Sequence, residues 1–106
     1  MKRIDHDFEE ITKENQLITD ENLKFANFKR ATFKNCRFVN CDYQDCSFEL
    51  AIFENCIFTN VTMTACLAKE LEIQGGKMHD CSFHLIYPSL MVLEIEQTDT
   101  IFNFSC

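Results

Sequence analysis

This sequence contains no tryptophan, one proline, two glycines and two tyrosines among its 106 residues. The two glycines are adjacent, so the spaced glycines of a phosphate-binding loop are missing. No apolar run is long enough to span a membrane. The first ten residues, MKRIDHDFEE, lack the apolar stretch of a secretory signal. At this length we expect one domain, and these absences predict a cytoplasmic protein without a nucleotide-binding loop.

Phenylalanine and cysteine are abundant instead, with eleven and seven copies. A mostly large residue returns every fifth position from 23 to 83, and a mostly small residue lies two positions before it. The first column is Leu23, Phe28, Phe33, Phe38, Tyr43, Phe48, Phe53, Phe58, Met63, Ala68, Ile73, Met78 and Phe83. The second column is Ala26, Ala31, Cys36, Cys41, Cys46, Ala51, Cys56, Val61, Cys66, Leu71, Gly76 and Cys81.

A period of five fits neither a straight helix nor a flat strand. Residues five apart on a helix are rotated by about 140°, and odd spacings on a strand fall on opposite faces. Residues two apart on a strand do share a face. Successive pairs can therefore face one interior only if the chain turns a corner between them, which predicts a solenoid of short strands and turns.

The pattern resembles the pentapeptide-repeat family, most clearly in ANFKR-ATFKN-CRFVN-CDYQD-CSFEL-AIFEN-CIFTN. The resemblance covers residues 21–85, about thirteen units. It implies an all-β fold, a right-handed quadrilateral parallel β-helix with four repeats per coil and about three to four coils. Residues twenty apart would then stack, placing Asn35 beneath Asn55 and Asn40 beneath Asn60. The pair Gly75–Gly76 predicts a bulge or a close backbone approach.

Residues 1–20 lack the repeat. Ile4, Phe8 and Ile11 are spaced four and three apart, and acidic residues crowd the same segment, which together favour an amphipathic helix. Because the end of a solenoid exposes unpaired strands, we interpret 1–20 as a short N-terminal cap, helical in part.

Residues 86–106 form an apolar, irregular tail that either continues the coil or covers it. So large an apolar segment favours a homodimer interface at the C-terminal end, and several proteins of the resembled family pair through a terminal coil. An intramolecular cap that buries the same residues is the alternative. The candidate interface comprises Leu85, Tyr87, Leu90, Val92, Ile95, Phe102 and Phe104.

Six of the seven cysteines fall in the small-residue column, which indicates buried, reduced thiols that fill the core. No C-x-x-C spacing suggests a metal site. His79 and His84 are five apart and belong on adjacent faces, and no nucleophile and base are brought together. We therefore expect no catalytic residues, no metal, no cofactor and no enzymatic activity.

The charge is divided along the chain. Lys24, Lys29, Arg30, Lys34 and Arg37 have no acid among them, whereas residues 38–106 are strongly acidic. We expect a protein-interaction scaffold of unknown partner. The alternative is a DNA-mimicking binder of DNA gyrase or another type II topoisomerase, because ACLAKELEIQGGKMHDCSF is loosely similar to the quinolone-resistance branch. Direct nucleic-acid binding is not favoured, since no aromatic residues are displayed among the basic ones for base stacking.

Overall fold

The structure is a computed structural model that describes residues 6–106, and every regular element in that range is a β-strand. The strands are His6–Asp7 (β1), Thr12–Glu14 (β2), Leu17–Thr19 (β3), Asn22–Lys24 (β4), Ala26–Asn27 (β5), Thr32–Lys34 (β6), Arg37–Val39 (β7), Asp42–Gln44 (β8), Ile52–Thr59 (β9), Thr62–Leu67 (β10), Glu72–His79 (β11), Ser82–Ile86 (β12), Val92–Thr98 (β13) and Ile101–Ser105 (β14).

The strands stack in parallel with a register of twenty residues. His6 pairs with Ala26, Thr12 with Thr32, and Thr32 with Ile52. The longest ladders run β2–β6–β9–β11–β13 and β4–β8–β10–β12–β14. The chain thus winds into a parallel β-solenoid of about five turns, which confirms the predicted fold class and adds to the three to four coils expected.

The corners are residues in the left-handed backbone region, which recur every five positions. Four corners fall in each twenty-residue coil, so the coil is quadrilateral. From residue 10 to residue 80 they are Glu10, Asn15, Asp20, Phe25, Arg30, Asn35, Asn40, Asp45, Leu50, Asn55, Asn60, Ala65, Glu70, Gly75 and Asp80, and in the last coil Tyr87, Leu90 and Asp99 have the same conformation at uneven spacing. Asn and Asp recur in this column and β-branched residues are absent, as the left-handed region requires.

Stacked aromatic rings fill the interior. The ring centroids of Phe28 and Phe48 are 4.9 Å apart with planes 2° from parallel, and Phe33 stacks on Phe53 at the same distance. The core of the described residues contains no buried polar or charged side chain. Each large side chain placed there contributes about 1.5–3 kcal/mol of hydrophobic stabilisation.

One coil exchanges the sizes of two core residues. Ala68 stands in the column of Phe28 and Phe48, and its neighbour Leu71 stands in the column of Ala31 and Ala51. Both Ala68 and Leu71 are fully buried. The leucine supplies the volume that the alanine lacks, so the repeat register is kept through this unit.

The expected helix within residues 1–20 is wrong for the part described. Residues 6–20 contain β1, β2 and β3 and form the first coil together with residues 21–24, while Ile4 lies outside the described residues. Phe8 stacks on Phe28 at 4.9 Å, and its N–H donates to the Asn27 carbonyl at 2.7 Å. The spacing of Phe8 and Ile11 reflects a turn in which the Ile11 N–H donates to the Phe8 carbonyl. The edge of the second coil offers hydrogen-bond partners that an isolated short helix would lack.

Residues 86–106 continue the solenoid as its last coil. Strand β13 pairs with β11, and β14 pairs with β12. The register shortens from twenty to nineteen residues at two places, where Cys66 pairs with Leu85 and Lys77 pairs with Glu96. Each shift omits one corner residue.

The shortened register moves Leu85 from the outside to the inside. Leu85 pairs with Cys66 beneath it and with Phe104 above it, and is fully buried. The prediction that Leu85 belongs to an exposed interface is therefore wrong. The prediction failed because one corner residue is omitted before Leu85, and a constant period of five does not predict that omission.

Candidate interaction surface

The C-terminal end of the solenoid presents an apolar surface that we call the end plate. Its members lie on the last coil above core columns and are only partly covered. They are Pro88, Met91, Leu93, Ile95, Phe102 and Phe104. Leu93 pairs with Ile73, and Phe102 pairs with Phe83, so the end plate exposes the side chains that a further coil would bury.

A shallow depression of about 370 Å³ crosses the end plate, lined by Pro88, Met91, Leu93 and Phe104. Apolar surface left in this way is the usual mark of a surface that binds another protein.

The predicted interface residues divide into three groups. Tyr87, Leu90 and Phe104 are exposed by 57%, 75% and 50%, which places them on or around the end plate. Val92, Ile95 and Phe102 are half-buried, and Leu85 is internal. Sequence reasoning missed Pro88, Met91 and Leu93. For Met91 and Leu93, the spacing of twenty from core residues 71 and 73 is the signal that could have found them.

The opposite end has a different character within residues 6–24. Lys13 pairs with Phe33 and therefore occupies a core column, yet it is exposed. Glu21 accepts a hydrogen bond from the Tyr43 hydroxyl at 2.6 Å. Burial, with the Glu21 carboxylate beside it, raises the pKa of Tyr43 well above its ordinary value. The first coil therefore places two charged side chains among its apolar residues Phe8, Ile11, Ile18 and Leu23, whereas the members of the end plate are all apolar.

The six cysteines of the small-residue column are free and buried, as predicted, and Cys106 is exposed. Their thiols donate to backbone carbonyls of the preceding coil, for example Cys56 to Phe33 at 3.4 Å and Cys66 to Tyr43 at 3.4 Å. Burial raises the pKa of Cys56 to about 11. The adjacent Cys46 thiol and burial raise the pKa of Cys66 strongly. Cys56 and Cys66 are therefore protonated at neutral pH and poor nucleophiles.

Charged side chains on the outer faces alternate in sign and partly pair. Lys34 lies 4.0 Å from the Glu54 carboxylate, and Arg30 lies 3.9 Å from Glu9. These are exposed pairs worth little in stability, but they reduce the basic character of the 23–37 segment.

Polar side chains also stack along the corners. The Asn60 amide donates to the Asn40 side-chain carbonyl at 2.8 Å, which confirms that predicted ladder. Among the described residues no such bond joins Asn35 and Asn55.

The two histidines predicted on adjacent faces have different neighbours. His79 lies beside Asp80 and Asp99, and His84 lies 3.0 Å from the Ser105 hydroxyl. Over residues 6–106 we find no helix able to cross a membrane.

These features define a parallel β-solenoid built from five-residue units. A family model for pentapeptide repeats, described as containing nine copies, matches residues 19–66. Over those residues, the predicted resemblance to the pentapeptide-repeat family is confirmed. The comparison with curated proteins found no significant match.

Proposed function

We propose that this protein is a non-enzymatic interaction scaffold whose end plate binds a second copy of the same chain. The single observation that supports this proposal is the difference between the two ends. The last coil leaves only apolar side chains such as Met91, Leu93 and Phe104 partly uncovered, whereas the first coil interrupts its apolar layer with the charged Lys13 and Glu21.

This difference favours one mode of association over another. Stacking head to tail would place the end plate against a first coil in which Lys13 and Glu21 lie among apolar residues, and it would bury these two charges against apolar surface. Pairing two end plates about a two-fold axis would cover apolar surface with apolar surface. It would also shield the free edges of β13 and β14, which otherwise offer unpaired backbone groups.

Two features support a role without catalysis. Burial raises the pKa of the Cys41, Cys56 and Cys81 thiols, and the Cys46 thiol with burial raises that of Cys66, which opposes thiolate formation at these four positions at neutral pH. His79 contacts carboxylates rather than a candidate nucleophile. The free thiols also support a reducing compartment, and we place the protein in the cytoplasm on that basis.

We do not extend the proposal to topoisomerases. Duplex DNA carries one negative charge per roughly 1.7 Å of axis. The stacked series Glu14, Lys34 and Glu54 alternates in sign instead, and Lys34 pairs with Glu54. A gyrase supercoiling assay separates the two functions: a scaffold of this kind should leave the reaction unchanged, whereas inhibition would favour the DNA mimic.

Self-association is tested by light scattering coupled to gel filtration. The wild-type chain should have the mass of two copies, and Phe104→Asp should have the mass of one, because a charge would be desolvated within the end plate. Leu17→Asp is the matched control, since Leu17 is equally apolar, 64% exposed and located on the first coil. A monomeric wild type, or a Phe104→Asp variant that remains dimeric, would contradict the proposal.

A further inference from the structure

One corner column changes from amides to carboxylates near the C-terminal end. Asn40 and Asn60 are joined by a side-chain hydrogen bond of 2.8 Å. Asp80 and Asp99 occupy the next two corners of the same column, at φ 54° and 51°. Two ionised carboxylates cannot donate to each other, so this pair repels where the amide pair attracts.

His79 lies beside both carboxylates. Its Nε2 is 3.4 Å from an Asp80 oxygen, and its Nδ1 is 4.0 Å from an Asp99 oxygen. A ring nitrogen and one oxygen from each aspartate all lie within 4.8 Å of one another. All three side chains are exposed, so the ring and both carboxylates can turn toward a common point.

The surroundings of these three residues are rich in acidic side chains and poor in basic ones. No lysine or arginine follows Lys77 in the chain, whereas Glu94, Glu96 and Asp99 do. Within residues 6–106, no lysine or arginine nitrogen lies within 4.0 Å of the Asp80 or Asp99 carboxylates.

We propose that His79, Asp80 and Asp99 bind one divalent transition-metal ion of the zinc type. An imidazole nitrogen with two carboxylate oxygens suits zinc, whereas calcium and magnesium prefer oxygen ligands alone. Movements of one to two ångströms would bring the three atoms to the usual ligand distance of about 2.0–2.2 Å. Water would complete the coordination because the site faces solvent.

The ion would join the last coil to the coil beneath it. Asp99 belongs to the turn between β13 and β14, His79 is the last residue of β11, and Asp80 follows it in the turn between β11 and β12. Directly after these turns, the Ile101 N–H donates to the Cys81 carbonyl at 3.0 Å. Bound metal would therefore hold the terminal coil in place, independently of whether the end plate pairs with a second copy.

Isothermal titration with zinc chloride tests the site. The titration uses the Cys106→Ser chain as its reference, because Cys106 is the exposed thiol and would itself bind zinc. This chain should bind one zinc ion. Asp99→Asn should weaken binding by about tenfold or more, since even supporting residues around a metal contribute that much. His79→Ala should remove the preference for zinc over magnesium. His84→Ala, which changes a histidine away from both aspartates, should bind like the reference chain.

Hydrogen exchange gives a second readout. Zinc should slow exchange of the Ile101 amide in the reference chain and leave it unchanged in Asp99→Asn. The proposal is overturned if the reference chain takes up no zinc, or if Asp99→Asn and His79→Ala bind zinc as tightly as the reference does. It is also overturned if zinc binds without protecting Ile101, because the ion would then lie elsewhere.

Discussion

Gly75→Ala and Gly76→Ala should lower the free energy of unfolding by very different amounts, although the two glycines are adjacent. Gly75 is a corner with φ of 71°, and Gly76 follows with φ of 86°. An added methyl group at Gly75 would overlap the end of the Asn55 side chain, whereas one at Gly76 would overlap the backbone carbonyl of Cys56. The amide side chain can rotate away, but the carbonyl is part of the β9–β11 pairing.

The magnitudes follow from these two obstacles. A left-handed alanine costs about 1–2 kcal/mol, and Ala65 shows that the fold accepts one at a corner. Gly75→Ala should therefore lower the free energy of unfolding by about 1–2 kcal/mol. In Gly76→Ala the added methyl group would also push the paired strands β9 and β11 apart. This variant should therefore lower the free energy of unfolding by about 3–5 kcal/mol. This is a large part of the 5–15 kcal/mol typical of a domain.

Urea denaturation followed by far-ultraviolet circular dichroism measures both changes. At about 4–8 °C per kcal/mol for a chain near this size, the thermal midpoints should also separate clearly. Ala65→Gly is the control and should change stability little or raise it, because it relieves a left-handed alanine and adds no atom against a neighbouring strand. Equal stabilities of Gly75→Ala and Gly76→Ala, within about 0.5 kcal/mol, would refute the proposed close approach of the two backbones.

Two further predictions concern the packing of the core and the protonation of its buried thiols. Leu71→Ala should lower the free energy of unfolding, measured by urea denaturation, by about 2–5 kcal/mol. Adding Ala68→Phe should recover part of that loss, because residues 68 and 71 then match the sizes found in the coils below. A double variant no more stable than Leu71→Ala would count against the exchange of sizes. The free energy of unfolding should also fall above about pH 9, since the unfolded chain ionises its thiols there while the folded chain keeps Cys56 protonated up to about pH 11. The slope is about 1.4 kcal/mol per pH unit for each such group, Cys56→Ala should reduce it, and an unchanged stability from pH 8 to 11 would disprove the thiol burial.

The sequence alone determined the repeating part of this protein. A large residue returns every fifth position, and a small residue lies two positions before it, as with Phe48 and Cys46. This pattern requires a short strand and a corner in every unit. Stacking at twenty residues followed from the four repeats per coil that the family resemblance implied, and it correctly placed Asn60 above Asn40. These features are local or periodic, so they can be counted along the chain without knowing what lies beside it.

The tertiary structure decided what happens where the period fails. Phe8 and Ile11 satisfy a helical spacing, but the free edge of the second coil draws them into a first coil. Leu85 and Ile95 do not fit the period of five. Only the strand pairing shows that one corner residue has been omitted at each of these two positions. The approach of His79 to Asp99 depends on that shortened coil. The physical reason is that the register between coils is fixed by hydrogen bonds and side-chain volumes of non-adjacent segments, which a local period does not contain.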